Sequence, residues 1–236
     1  LIIDGTGNPG YAADVGIVGD QIIAIGDLSD ATSRETVDAS GKVVAPGFVD
    51  MHTHSDLAVL FDPLTNSKIF DGVTTEVVGN CGIGVAPVSE ANRQLLIDYL
   101  GTRMIGNLPV KIELNWSSMA EYLDYVRMHP PALNVCALLA QGAVRIAVMG
   151  FDKQAPTNRQ LSEMKSLVAA GMAEGAVGFS SGLIYMPGEF STTDELAELA
   201  KEIKPYQGFY VSHIRNESEG VFDALEEALT IGEKAG

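Results

Sequence analysis

Two imidazoles two residues apart, His52 and His54, close an apolar run that begins Ala45-Pro46-Gly47-Phe48-Val49. Side chains at i and i+2 of a strand point the same way, so the pair is expected to face one site together. Neutral imidazole is the commonest metal ligand, and two on one face make half of a divalent-metal site. Alone, a His-x-His is a weak signal, because any polar strand exit can produce it. Two further places strengthen it. Cys81 lies in Gly79-Asn80-Cys81-Gly82-Ile83-Gly84, just past the β-rich run Thr74-Thr75-Glu76-Val77-Val78, among residues that let backbone come close. His213 ends a third such run, Phe209-Tyr210-Val211-Ser212-His213, with Arg215 two residues on. Thiolate with imidazole suits zinc better than calcium or magnesium, so Zn²⁺ is the expected metal.

These four residues all fall at the ends of expected strands. From residue 47 to 236 the pattern alternates strands, expected near 48–52, 74–78, 134–139, 176–179 and 209–213, with helical stretches. Repeated βα units make parallel strands that end at one face, where barrel enzymes build their sites, so separate strands can deliver ligands to one point. Ser118-x-x-Glu121, Thr157-x-x-Gln160 and Thr192-x-x-Glu195 each fit a capping box at a helix start. Residues 85–111 exceed a usual connection and read as an inserted loop-helix segment lining one side of the site mouth. Residues 1–46 differ, with short β-prone pieces at 1–4, 13–18, 21–25 and 42–45 between glycine turns, as in part of a small β-sheet domain.

Composition narrows the function classes. The 15 Lys+Arg against 31 Asp+Glu leave a net charge of −16, which argues against nucleic acid and anionic membrane surfaces as partners. No apolar run approaches the ~20 residues of a membrane span, and the start lacks a secretory pattern. Two cysteines suggest a reduced, cytoplasmic context. Cys136, within Asn134-Val135-Cys136-Ala137-Leu138, reads as a small core hydrophobe rather than a ligand, and His129, before Pro130, as a solvated surface residue.

With these segments in hand, the sequence resembles the N-acyl-D-amino-acid deacylases (D-aminoacylases) of the amidohydrolase superfamily. The resemblance is carried by Leu1-Ile2-Ile3-Asp4-Gly5-Thr6-Gly7, the run from Ala45 through His52-Thr53-His54-Ser55-Asp56, Gly72-Val73-Thr74-Thr75, Gly79-Asn80-Cys81-Gly82, Ser180-Ser181-Gly182-Leu183-Ile184-Tyr185 and Ser212-His213-Ile214-Arg215. The cysteine after the second strand, where many relatives instead use a lysine from a later strand, points to this branch. The resemblance implies an α/β fold, a (β/α)₈ barrel of which about five of eight units lie here, with part of a small β-sandwich at residues 1–46 and the barrel from 47 to 236.

It also implies zinc held by Cys81 and His213, a weaker second metal position near His52 and His54, and hydrolysis of the amide bond of N-acyl-D-amino acids. Tyr185 would lie beside the scissile carbonyl as a catalytic hydrogen-bond donor and substrate contact. Arg215 would help meet the substrate carboxylate, for which a planar guanidinium is suited. Asp56 is either a hydrogen-bond partner of a metal ligand or an ordinary loop cap. Family members supply a further histidine ligand and a catalytic aspartate beyond residue 236, so the chain is expected to be an N-terminal portion and inactive in isolation. Two rival readings are a dihydropyrimidinase-like cyclic amidase, which Cys81 disfavours, and a barrel that keeps its ligands without turnover. The side-chain preference for the D-amino acid has no signal in these residues.

Overall fold

The computed structural model describes residues 1–64, 66–105, 111 and 113–236. The chain divides into two units, Leu1–Phe48 and Val49–Gly236. In the first, β1 (Asp14–Val18) and β2 (Gln21–Gly26) form an antiparallel hairpin. Its two-residue turn places Gly19 at φ +63°, the sign that tight hairpin turns require. The expected strands at 1–4 and 42–45 shrink to isolated bridges of Ile2 with Tyr11 and Val44. Asp4 explains one end: its carboxylate accepts from the backbone and hydroxyl of Thr6 at 3.0 and 2.7 Å, turning the chain before a strand can extend.

The second unit alternates strands and helices. Its elements are β3 (Phe48–Asp50, which straddles the division), α1 (Ala58–Phe61), α2 (Asn66–Phe70), β4 (Val73–Val78), α3 (Arg93–Leu100), α4 (Met119–Met128), β5 (Asn134–Ala140), α5 (Gln141–Met149), α6 (Asn158–Ala173), β6 (Gly178–Gly182), α7 (Thr193–Ala200), β7 (Phe209–His213) and α8 (Val221–Ala235). The sheet order is β3-β4-β5-β6-β7, sequential, and the pairings from β4 to β7 are parallel. Sequential parallel strands with helical crossovers are the arrangement of consecutive units in a (β/α)₈-type barrel. Parallel strands are covered on both faces, and β6 is accordingly buried along its whole length. Ala137, Leu139 and Phe179 of the sheet pack with Met164, Val168, Leu196 and Leu199 of the helices in one apolar core.

Two strands differ from expectation. β6 runs Gly178–Gly182, not 176–179, because Gly-Phe-Ser-Ser-Gly lacks strand alternation and is chosen for closeness: a Cβ at Gly178 would lie 2.3 Å from the Phe209 carbonyl oxygen. β3 stops at Asp50, whose carboxylate accepts the His52 amide at 3.2 Å and also pairs with Lys68. His52 and His54 therefore occupy the loop after the strand and not the strand face. The inserted segment contains α3, followed by a single wider turn at Gly101–Ile105; its stretch 106–110 lies outside the described residues.

Of the three capping boxes, Thr157 and Gln160 make both reciprocal bonds. Ser118 caps the Glu121 amide, but the Glu121 carboxylate accepts from Ser117 instead. Thr192 caps the Glu195 amide at 3.2 Å, while the Glu195 carboxylate turns inward to Arg145 at 2.6 Å and Ser191 at 2.9 Å. Arg145 is fully buried, and its other donors reach the Asp152 and Gln154 carbonyls at 3.1 and 2.8 Å. Breaking a buried pair strands one charge, so Arg145→Met is expected to cost about 3–5 kcal/mol, and the double change Arg145→Met with Glu195→Leu less than that single change. Denaturant unfolding of the whole protein measures both; a double variant weaker than the single one would refute this account.

Candidate metal centre

The loop after β4 sets the site. Gly79, Cys81 and Gly82 all have positive φ, at +79°, +55° and +65°. For glycine this is easy; for cysteine it is a strained conformation that surrounding contacts must enforce. Those contacts are visible. Asn80 donates its side-chain amide to the Val77 carbonyl at 2.9 Å and the Met51 carbonyl at 3.3 Å, tying the loop to β4 and to the segment bearing His52. A Cβ on Gly182 would sit 1.9 Å from the Cys81 carbonyl oxygen, and one on Gly79 would sit 2.3 Å from that of Leu138. Only glycine fits at either place.

The outcome is a thiol at the centre of three histidines. Cys81 Sγ lies 3.1 Å from His52 Nε2 and 3.4 Å from His213 Nδ1. The ligand atoms of His52, His54 and Cys81 all fall within 4.8 Å of one another. The other nitrogen of His213 is 3.2 Å from the Glu217 carboxylate. Tyr185, Ser212, Ile214 and Glu217 complete the cleft around these four residues. Burial, with the nearby Glu217 charge, pushes the Cys81 thiol up to about 11, so without a cation it holds its proton. Desolvation and the neighbouring His52 and His213 lower the pKa of His54 and favour neutral, ligating imidazole. A divalent cation at this point would meet one sulfur and up to three nitrogen donors, the set that zinc prefers.

Tyr185 packs edge-on against the His213 ring with centroids 4.7 Å apart, and desolvation raises the pKa of its phenol, which keeps it a donor. Arg215 is placed otherwise than expected. Its guanidinium forks onto Glu227 at 2.8 and 2.9 Å and reaches the Glu189 and Ser191 carbonyls at 2.8 and 2.9 Å, so its donors are committed to joining β7, α8 and the loop before α7. A different cation, unnoticed in the sequence, stands at the cleft: Arg103 lies 4.6 Å from the Tyr185 ring centroid and 5.9 Å from that of Tyr99. Nothing in its local sequence signals this, since the contact is created by the inserted segment folding over. His129 is an exposed residue stacked on Tyr125, and Cys136 is half-buried within β5.

The amidohydrolase family model matches residues 35–181. A D-aminoacylase from Alcaligenes xylosoxydans xylosoxydans is 41% identical over 231 residues, which are 98% of this chain and 46% of that one. A solved D-aminoacylase with a binuclear metal centre superposes with a TM-score of 0.88 at 36% identity, covering 99% of this chain and 48% of its own. The N-acyl-D-glutamate deacylase of Bordetella bronchiseptica, complexed with zinc and a phosphonate mimic of the tetrahedral intermediate, superposes with a TM-score of 0.86 at 39% identity, covering 100% and 48%. The chain thus spans about half the length of the curated relatives it matches.

Behind the cluster lie two buried carboxylates, Asp56 and Glu76, each with one oxygen that has no hydrogen-bond partner among the described residues. Asp56 makes no hydrogen bond to a histidine. Burial pushes its carboxyl up to about 7, with the Glu76 charge adding to the shift and the Gly79 amide opposing it. A raised acid holds in the fold a proton that the unfolded chain releases, so this group's contribution to stability is full below its unfolded value and is lost as pH rises through about 7. Asp56→Asn should therefore flatten the fall in stability of the metal-free protein between about pH 4 and pH 7. Denaturation midpoints across that range check it, and identical slopes in the two proteins would count against it.

Proposed function

Because the chain belongs to the amidohydrolase family, we propose that the protein hydrolyses the amide bond of N-acyl-D-amino acids, releasing a carboxylate and a free D-amino acid, with zinc at the Cys81 cluster. The observation that carries this reading is the thiol lying between His52 Nε2 and His213 Nδ1 at 3.1 and 3.4 Å, in a chain similar to deacylases along its whole length. Cys81 and His213 are read as the tighter ligands, with His52 and His54 as a weaker second position sharing the sulfur. Zinc, when bound, supplies Lewis acidity to the amide carbonyl and activates water.

The protein's own residues do the rest. Tyr185, still protonated at neutral pH and packed on His213, donates to the oxygen that gains charge as the carbonyl is attacked, a contact stronger in the transition state than in the ground state. Arg103 offers positive charge at the rim of the cleft, and with Arg215 committed to Glu227 it is the better-placed partner for a substrate carboxylate. Residues 1–46 are read as part of a small β-sandwich domain and 47–236 as part of the barrel. The free thiols Cys81 and Cys136 favour a cytoplasmic setting, and no helix among the described residues is long and apolar enough to cross a membrane.

Three measurements on the whole protein test the reading. Zinc-loaded enzyme should turn over N-acetyl-D-methionine far faster than its L isomer, because misplacing the scissile group by about 1 Å can cost ~100-fold; equal rates on both isomers would sink it. Zinc content should fall most in Cys81→Ala and less in His52→Asn, and full zinc in Cys81→Ala would refute the ligand assignment. Arg103→Ala should raise KM for substrates with a free carboxylate while sparing their α-amides. Arg215→Ala should instead lower the denaturation midpoint; the opposite pattern would return the carboxylate to Arg215.

A further inference from the structure

Cys81 is held in a left-handed conformation that its own side chain disfavours, so something outside the loop must hold it. Ser180 is placed to do so. It lies in the middle of β6, fully buried, paired on one side with Ala140 of β5 and on the other with Val211 of β7. Its hydroxyl leaves the strand and spans the loop: Oγ accepts from the Gly82 amide at 3.0 Å and donates to the Gly79 carbonyl oxygen. One hydroxyl uses one donor and one acceptor, and here each goes to one end of the four-residue turn that presents the thiol. The next residue, Ser181, is equally buried and bonds instead to Tyr210 and Ser212 at 2.6 and 3.0 Å.

We propose that Ser180 is a positioning residue for the metal-binding thiol, a clasp across residues 79–82 that fixes Cys81 Sγ between His52 and His213. The inference rests on the reading of Cys81 as a metal ligand and goes beyond it, since Ser180 is not among the residues that line the cleft. Two chemical facts support the clasp. Without the hydroxyl, the Gly82 amide and Gly79 carbonyl lose a buried partner that water cannot easily replace. The close approach of the Cys81 carbonyl to Gly182 leaves the loop no room to shift inward, so relaxation must carry the sulfur away from the sheet. Residues that orient a metal ligand without touching the metal are typically worth 10–100-fold in affinity.

The test uses the whole protein as Ser180→Ala, with Ser181→Ala as the control of matched burial on the same strand. Zinc affinity is read by chelator competition, and the thiolate-to-metal charge-transfer band by absorption of the cobalt-substituted protein. Ser180→Ala is expected to bind zinc ~10–100-fold more weakly and to show a diminished or shifted band, with a metal-free melting temperature no lower than that of Ser181→Ala, which keeps both metal properties. Wild-type affinity and an unchanged band in Ser180→Ala would overturn the proposal, as would an equal loss in Ser181→Ala. Should Ser180→Ala fail to fold, Ser180→Cys, of similar size but a weaker donor, is judged by the same two readouts and the same outcomes. A wild-type protein without a cobalt–thiolate band would instead remove the ligand assignment itself, a failure distinguishable because it shows before any substitution.

Discussion

The constraint on which the site depends is a backbone contact: the Cys81 carbonyl presses so close to Gly182 that a single added carbon there would lie 1.9 Å from its oxygen. That contact locks the loop after β4 against β6, two strands away in the sheet order, across the end of β5. It also accounts for the composition of β6, where glycines flank a Phe-Ser-Ser centre in place of the branched residues a buried parallel strand usually carries. Small residues here are not weak strand formers tolerated by chance. They create the space into which a strained, thiol-bearing turn is pressed, and the surrounding apolar core offsets their cost in chain entropy.

Charge is handled differently at two depths. In the helical layer, Arg145 and Glu195 satisfy one another inside the core, with carbonyls and Ser191 filling most of the remaining valences. Behind the histidines, Asp56 and Glu76 face burial with fewer partners: the Gly79 amide serves Asp56, the Ser55 hydroxyl donates to Glu76, and Lys68 is the one cation among the described residues that approaches, at 3.9 Å from Glu76. In a chain of net charge −16, raising the Asp56 carboxyl to about 7 lessens the negative charge beneath the cluster. The site therefore joins a strained loop to a partly unsatisfied polar floor, and such departures from low-energy design concentrate at functional places.

Much of this was readable from residues alone, for physical reasons. His52, His54, Cys81 and His213 stood out because strand ends share a face in βα architectures, so type and position together pointed to one centre. Strands with branched residues, such as Val73–Val78 and Asn134–Ala140, were found within one residue at each end. Gly178–Gly182 was misplaced because its residues were selected by tertiary closeness, which leaves no local period. Arg215 was assigned to substrate on chemical type, yet the same planar guanidinium serves a structural carboxylate equally well, and Glu227, 12 residues later, is invisible as a partner until α8 folds back. The contacts of Arg103 with Tyr185 and of Ser180 with Gly79 and Gly82 escaped for the complementary reason: they are made wholly across the fold.

The spacing of the cluster along the chain sets an order of assembly. His52 and Cys81 are 29 positions apart, in the loops that follow the neighbouring strands β3 and β4, whereas His213 lies 132 positions beyond Cys81. During synthesis at ~5–20 residues per second, the first three donors leave the ribosome several seconds before the fourth. A nascent chain thus carries two imidazoles and a thiol before β6 is there to meet the Cys81 loop and before β7 brings the fourth donor. Arrival of the later strands brings His213 and the β6 contact to Cys81, so the donor set is complete only once the most distant of its strands is in place.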